Sequence, residues 1–345
     1  MDSLRLHLNL AMTVEHSTIP PYLCALYSIP DGTNEEAASV IRTVVMEEML
    51  HMVLVANLTN AVGGTIRVND RESIPTYPRL LLPGSNVLVE LQKFSPAALE
   101  LFMKIERPDP SYADIATEST QLDQYSTIGQ FYKAVREGLN GLVERYGESV
   151  VFCGDPRLQV TPEYYYGGSG QLFEIRCLKD ADRAIAEIVD QGEGLPGEIG
   201  ATGVRGETDF LHRGFDGFSE PAHFFRFQEI HQGRYYQKGD TPVTGPRGPE
   251  FPVDWIESLN MQKNPRAAAY AIESPIRRKL DEFNICYTRL IDRLQAAFTG
   301  QQTMLMTAVG DMYEIKQRAS ELMRIPNPLD NGATSVGPSF ELTPN

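Results

Sequence analysis

The sequence predicts an all-α protein in which four helices form a bundle and further helices follow towards the C-terminus. Apolar residues recur at the three- and four-residue spacing of an amphipathic helix through most of the chain, and segments typical of strands are few and short. Segments rich in proline and glycine separate the helical ones. The chain has 345 residues, of which 42% are hydrophobic and 22% charged, so it can bury a large core.

The apolar stripes and the boundary residues place each helix in turn. We expect Pro20 and Pro21 to break or bend the first helix, because proline lacks the amide hydrogen that a helix needs. Asn34 is a suitable N-cap for the second helix, and Ser95 for the third. The predicted helices cover residues 4–18, 34–62, 95–106, 126–147, 178–193 and 220–233, followed by two long ones at 276–298 and 305–322.

The chain divides most naturally near residue 238. Positions 238–252 are rich in proline and glycine, which is typical of a linker or a long loop. We therefore expect residues 1–237 to form a bundle with inserted helices. Residues 238–345 would then comprise the linker and a C-terminal helical extension packed on the bundle.

The charge balance excludes several classes of function. With 31 Lys and Arg against 46 Asp and Glu, the formal net charge is −15, so binding to nucleic acid or to an anionic membrane is not expected. No apolar run is long enough to span a bilayer, and Asp2 and Glu15 interrupt any signal-peptide core. The cysteines lie far apart and without a CxxC motif, which indicates free thiols in a cytoplasmic protein: Cys24, Cys153, Cys177 and Cys286.

Two Glu-x-x-His motifs carry the chemistry that the sequence suggests. Glu48 precedes His51 by three residues, and Glu220 precedes His223 by the same spacing. In a helix, positions i and i+3 share a face, so each pair can present a carboxylate and an imidazole to one point. Four-helix bundles that hold two metal ions use two such motifs, together with one Glu from each of the other two helices.

The two additional carboxylates can be sought on apolar helix faces. Glu15 lies on the apolar stripe of the first helix, where burial is costly unless a cation or hydrogen bonds compensate. For the third helix there are two candidates. Glu187 precedes Glu220 by the same interval that separates Glu15 from Glu48, but its face is polar. Glu193 lies on the apolar face of the same helix and is the preferred ligand.

The inferred metal ligands are therefore Glu15, Glu48, His51, Glu193, Glu220 and His223. Two divalent ions would neutralise the four carboxylates, and the mixed oxygen and nitrogen donors suit iron, with manganese as a possibility. Tyr22 and Arg226 could contact the ligands from outside, although a purely structural role is more common for such residues.

Several segments of the chain resemble the ferritin-like domain of the iminophenyl-pyruvate dimer synthase family, whose members are associated with violacein-type and chromopyrrolic-acid pathways in bacteria. The similar segments are LNLAMTVEHSTIPPYLCALYSI, VIRTVVMEEMLHMVLVANLTNAVGG, AIAEIVDQGEG, EPAHFFRFQEI, VDWIESLNMQKNPR and KLDEFNICYTRLIDRLQAAFTG. The resemblance implies a ferritin-like four-helix bundle with additional C-terminal helices and long loops, and the same six ligands. The synthases that couple indole imines are much larger than this chain, which corresponds only to their ferritin-like part.

These observations lead to an expected function. The sequence favours a non-haem di-iron oxidase or oxygenase that uses O₂ or peroxide and acts on a small amine or amino-acid-derived metabolite, in secondary metabolism. The expected partners are a small-molecule substrate and a second copy of the chain in a homodimer. The alternative is a ferritin-like protein that binds or oxidises iron without an organic substrate.

Overall fold

The computed structural model describes residues 1–108, 125–165, 167, 169–193, 221–237 and 239–343. In this part of the chain the α-helices are α1 (Asp2–Tyr27), α2 (Glu35–Ala61), α3 (Pro96–Ile105), α4 (Ile128–Tyr146), α5 (Glu148–Val151), α6 (Leu178–Gly192), α7 (His223–Gln232), α8 (Pro275–Phe298) and α9 (Met304–Leu322). The strands β1 (Arg79–Leu80) and β2 (Leu88–Val89) pair antiparallel. The expectation of an all-α protein is confirmed.

Helix α1 continues through Pro20 and Pro21, so of the two expected effects, a break or a bend, the break does not occur. Because Pro21 has no amide hydrogen, it cannot bond to the carbonyl of Ser17. The Tyr77 hydroxyl donates a hydrogen bond to this carbonyl instead, at 2.9 Å. A side chain from the segment after α2 therefore compensates for the missing helical bond.

Helix α2 begins and ends within one residue of its predicted limits, but Asn34 does not act as expected. Its side chain makes no capping bond within the helix. The amide group of Asn34 instead bonds to the backbone of Asp254, donating to the carbonyl at 2.9 Å and accepting from the N–H at 2.7 Å. Ser95 does cap α3, since its hydroxyl accepts from the amide of Ala98.

Four helices surround the centre of the molecule. Helix α1 packs along α2, α3 packs against α7, and α7 also contacts α2. Helices α4 and α6 pack on each other and cover one side, with α4 against α1 and α6 against α2. This arrangement places the middle of α1, the middle of α2, the end of α3 and the start of α7 around one point.

The two C-terminal helices form a hairpin that packs on α1 and α2. Helices α8 and α9 pair closely, while α9 contacts α1 and α8 contacts α2. One hydrophobic core cluster extends from Leu4 to Phe340 and includes residues on both sides of position 238. The division at 238 stays a prediction.

Among the described residues, no helix combines the length and the apolar character needed to cross a membrane.

Candidate metal centre

The first group of candidate ligands consists of Glu15 on α1 and Glu48 and His51 on α2. All three side chains are at most 3% exposed. His51 Nδ1 lies 3.4 Å from Glu15 Oε2 and 3.9 Å from Glu48 Oε1. One donor atom from each residue lies within 4.8 Å of the others, so the group could hold a metal ion.

The second group consists of Glu48, Glu106 and His223, and these residues are equally buried. His223 Nδ1 lies 3.0 Å from Glu48 Oε1 and 3.6 Å from Glu106 Oε2. Glu48 belongs to both groups, and the rings of His51 and His223 stack with their centroids 5.7 Å apart. The two groups therefore form one continuous cluster with Glu48 in the middle.

Each imidazole is fixed through its other nitrogen. His223 Nε2 lies 2.9 Å from Glu47 Oε2, and Arg226 donates to the same oxygen. His51 Nε2 lies 2.9 Å from the amide oxygen of Gln191. Because Glu47 Oε2 and the Gln191 oxygen both accept, each Nε2 carries the proton and each Nδ1 faces the carboxylates.

Hydroxyl groups hold the three carboxylates in place. Tyr132 donates a hydrogen bond to Glu15, and Tyr22 donates one to Glu106. Thr18 Oγ1 donates to Glu48 Oε2 at 2.7 Å. Each carboxylate therefore has one oxygen bound by a hydroxyl, and its other oxygen can face the centre of the cluster.

Burial and crowding shift the pKa values of these groups. Burial, followed by repulsion from Glu106, raises the pKa of Glu48 to about 7. Burial alone would lower the pKa of His223, but Glu106, Glu47 and Glu48 outweigh it and hold that pKa well above its usual value. Burial also opposes ionisation of Glu47, yet Arg226 and His223 lower the pKa of Glu47 to about 2. Metal ligands must lose their protons, so a bound cation would take the place of protons in this cluster.

A small cavity adjoins the first group. Its polar wall contains Glu15, Glu48, His51, Glu106 and Glu193. Glu193 is buried and accepts a hydrogen bond from the backbone N–H of Gly129 at 2.7 Å. A Cβ atom at position 129 would lie 2.9 Å from the carboxyl carbon of Glu193, so any other residue here would displace this carboxylate. The apolar wall comes from α4 and α6: Ile128, Ile188 and Val189.

The structure brings most of the predicted ligands together. Glu15, Glu48, His51 and His223 lie in the two groups, and Glu193 lines the cavity beside them without forming part of either group. Glu220 lies outside the described residues. Glu187, the alternative to Glu193, accepts a hydrogen bond from Gln191 at 3.0 Å. Metal binding by the six predicted residues stays a prediction.

Glu106 is the candidate ligand that sequence reasoning missed. It follows the last residue of α3, four residues after Phe102 and seven after Leu99, and both of these are fully buried. The signal that identified Glu15, a carboxylate on an apolar face, was therefore present here as well. Sequence reasoning missed Glu106 because it lies at the very end of a short helix. Tyr22 and Arg226 do contact ligand or supporting carboxylates, as considered from their spacing.

The donor set fits a metal ion. His223 Nδ1 is fully enclosed and has no hydrogen bond of acceptable geometry among the described residues, although two carboxylate oxygens lie within 3.6 Å. A ring nitrogen that faces several carboxylates, with its ring fixed from behind, is the arrangement of a metal-bound histidine once a cation replaces the proton. The mixture of carboxylate oxygen and imidazole nitrogen suits iron or manganese.

These features define an all-α protein whose helical bundle encloses a buried carboxylate and histidine cluster. The Ferritin-like family matches residues 8–232, which is more than half of the chain, and the chain belongs to this family. The ferritin-like fold expected from the sequence is thereby confirmed.

Two further proteins are similar to the chain. A dichlorochromopyrrolate synthase from Lentzea aerocolonigenes is 24% identical over 326 residues, which cover 87% of this chain and 29% of that protein. The chain thus spans less than a third of the length of this relative. The crystal structure of a ferritin-like protein from Caulobacter vibrioides superimposes with a TM-score of 0.63 and 20% identity, covering 99% of this chain and 98% of the other. This second similarity supports the fold.

Proposed function

We propose that the protein is a non-haem di-iron oxidase or oxygenase that acts on a small amine or amino-acid-derived metabolite. The observation that carries the proposal is the pair of buried carboxylate and histidine groups that share Glu48. Two linked ligand groups on four helices are the pattern of ferritin-like proteins that hold two metal ions. When bound, two irons would supply redox chemistry with O₂ or peroxide.

The residues of the chain have separate roles in this proposal. Glu15 and His51 would hold one ion, Glu106 and His223 the other, and Glu48 would lie between them. Glu193 and Glu220 remain proposed ligands from their places in the sequence. Glu47 and Gln191 keep the two imidazoles in the tautomer that leaves Nδ1 available.

The proposed substrate class rests on similarity alone. The resemblance to the iminophenyl-pyruvate dimer synthase family and the likeness to a dichlorochromopyrrolate synthase both favour an amino-acid-derived compound in secondary metabolism. Because the chain spans 29% of that synthase, we do not transfer its whole reaction. The cavity beside Glu15 and His51 has a volume of about 10 Å³, close to that needed by one water molecule, so an organic substrate would require it to widen.

We also propose a homodimer, because a closed two-fold pair is the commonest oligomer. Light scattering on the purified chain should give about twice the mass of 38.5 kDa. A hollow assembly of a dozen or more chains that takes up tens of irons per chain would contradict both the dimer and the oxygenase.

The test of the function begins with anaerobic loading of the apoprotein with Fe(II). Elemental analysis should find about two irons per chain, and His51→Ala or His223→Ala should each lower this number. His231→Gln is the matched control, since His231 lies on the partly exposed side of α7. O₂ consumption by the ferrous protein should then rise when amines and amino acids are supplied in turn.

Two results would contradict the proposal. If protein treated with iron retains no metal, the proposed metal centre is wrong. If O₂ consumption follows the amount of Fe(II) added and no organic compound changes it, the protein is an iron-oxidising member of the family instead.

A further inference from the structure

We propose that the two metal positions are inequivalent: the position at His223 binds its ion tightly, whereas the position at His51 binds more weakly and is the one open to external ligands. This inference rests on the proposed function, because it assumes that both groups bind metal. It concerns the residues behind and beside the two imidazoles, which differ between the positions.

The first difference is the group that supports each imidazole. His223 Nε2 donates to the carboxylate of Glu47, whereas His51 Nε2 donates to the neutral amide of Gln191, and both distances are 2.9 Å. A charged acceptor makes the hydrogen bond stronger and the imidazole a more basic ligand than a neutral acceptor does. The same ligand type therefore has different donor strength at the two positions.

The neighbours of the two supporting groups preserve this difference. Arg226 donates a hydrogen bond to Glu47 Oε2, so a guanidinium group faces this carboxylate within the core. The amide nitrogen of Gln191 donates to Glu187 and to the carbonyl of Ser169, at 3.0 and 3.1 Å. These two acceptors fix the orientation of the Gln191 amide, so its oxygen faces His51 and it cannot exchange roles with the nitrogen.

The second difference is access. The cavity beside the cluster has a volume of only about 10 Å³, and its wall contains Glu15, Glu48 and His51. Glu106 of the other group also lines it, but among the described residues the imidazole of His223 does not. His223 is fully buried. The imidazole of His51 therefore borders the cavity, whereas the imidazole of His223 is enclosed.

Both differences point in the same direction. Helix α6, which is not one of the four helices that carry the two groups, supplies Gln191 and part of the cavity wall. The imidazole of His51 thus has the weaker supporting hydrogen bond and also borders the cavity. We expect metal to bind in two steps, and a small external ligand to require the second ion.

The experiment is a titration of the apoprotein with Co(II) alone, followed by calorimetry and visible absorption. Two steps should be resolved, with dissociation constants at least about tenfold apart, as expected for a change in supporting hydrogen bonds. Azide should alter the spectrum only after the second equivalent. Glu47→Gln should weaken the first step about 10- to 100-fold, and Gln191→Glu should strengthen the second step and narrow the gap. The exposed Glu144→Gln on α4 serves as control.

The outcomes separate the inference from the proposed function. If no Co(II) binds, the proposed metal centre itself fails. If two ions bind with one affinity, or azide acts at the first equivalent, the inference is overturned while the centre stands. If circular dichroism shows that Glu47→Gln does not fold, Gln191→Glu decides, and an unchanged second step would overturn the inference.

Discussion

The hydroxyl of Thr18 lies 2.7 Å from Glu48 Oε2 across the interface of α1 and α2 and 2.8 Å from the carbonyl oxygen of Glu15 in its own helix, so its one hydrogen is shared between these two acceptors. The bond to Oε2 leaves Glu48 Oε1 on the side of the two imidazoles, 3.0 Å from His223 Nδ1 and 3.9 Å from His51 Nδ1. A single hydroxyl on one helix thus orients the carboxylate that both groups share. Hydroxyls and amides in such supporting positions are what set the geometry of metal ligands.

The first prediction is that Thr18→Val lowers metal affinity about tenfold, because valine keeps the shape of threonine but cannot donate to Glu48. The measurement is a Co(II) or Fe(II) titration of the apoprotein. Thr13→Val is the control on the same helix, since the Thr13 hydroxyl bonds only to the carbonyl of Asn9 among the described contacts. Equal affinities of both variants and wild type would show that Thr18 does not orient the ligand.

The second prediction concerns three carboxylates: Glu106 and Glu193, which directly follow α3 and α6, and Glu187 within α6. Glu106→Gln should reduce metal occupancy most, because Glu106 lies in a ligand group with Glu48 and His223. Glu193→Gln should have an intermediate effect, since Glu193 lines the cavity, and Glu187→Gln the smallest. Elemental analysis of the three variants checks this order. Full occupancy in Glu106→Gln, with loss in Glu187→Gln, would reverse our assignment.

The third prediction tests the close approach of Gly129 to Glu193. Gly129→Ala should destabilise the protein by about 1–3 kcal/mol, because the new methyl group overlaps the Glu193 carboxylate. Removing that carboxylate in Gly129→Ala/Glu193→Ala should recover most of the loss, as expected for residues in contact. Thermal unfolding measures both. Gly138→Ala, on the same helix with open space around it, should instead be neutral or stabilising.

The fourth prediction follows from the cysteines. Cys153 is exposed, whereas Cys24 is buried and its burial raises the pKa of the thiol far above the usual range. A thiol must ionise to react, so Ellman's reagent at pH 8 should modify Cys153 within minutes and Cys24 only after unfolding. Cys153→Ser should lose the fastest phase, leaving the slower reaction of the partly exposed Cys177. A rapid phase that persists in this variant, and disappears in Cys24→Ser, would show that Cys24 is accessible.

The fifth prediction concerns acid stability. Glu314 on α9 bonds to Arg289 and Arg318, and contacts with Cys286 and both arginines lower the pKa of its carboxyl to about 2. A lowered pKa means that the stabilisation is complete above about pH 4.5 and is lost as the pH falls towards about 2. Glu314→Gln should lower the melting temperature by about 1–3 °C at neutral pH. This difference should shrink below about pH 4.5, and a constant difference at all pH values would exclude the ionised carboxylate as its cause.

The fold was predictable wherever one helix face is apolar throughout. The limits of α2 and α4 lie close to the predicted ones because a continuous stripe and a clear stop define them. The length of α1 was not predictable, since Tyr77, 60 residues after Ser17, supplies the hydrogen bond to the Ser17 carbonyl that Pro21 cannot make. Such a long-range contact leaves no local pattern.

The site was predictable to the extent that its residues follow helical spacing. Glu48 and His51 are visible as a motif, and His223 as part of a second one. Glu106 and Gln191 were missed because their roles depend on where α3 and α6 end in space, which spacing within one helix does not reveal. Tyr132 was missed for the same reason, since it reaches Glu15 from a helix 117 residues further along the chain.

The sequence separation of the ligands has a consequence for how the centre assembles. His223 and the Glu47 carboxylate that supports it are 176 residues apart in the chain. During synthesis from the N-terminus, Glu15, Glu48 and His51 emerge long before α7 is made. Until then these residues offer a growing chain half of a centre, and an ion captured early would find no second imidazole. If the cluster binds metal as proposed, docking of α7 would add the second imidazole and enclose the ions, and local opening of α7 would expose them to a chelator.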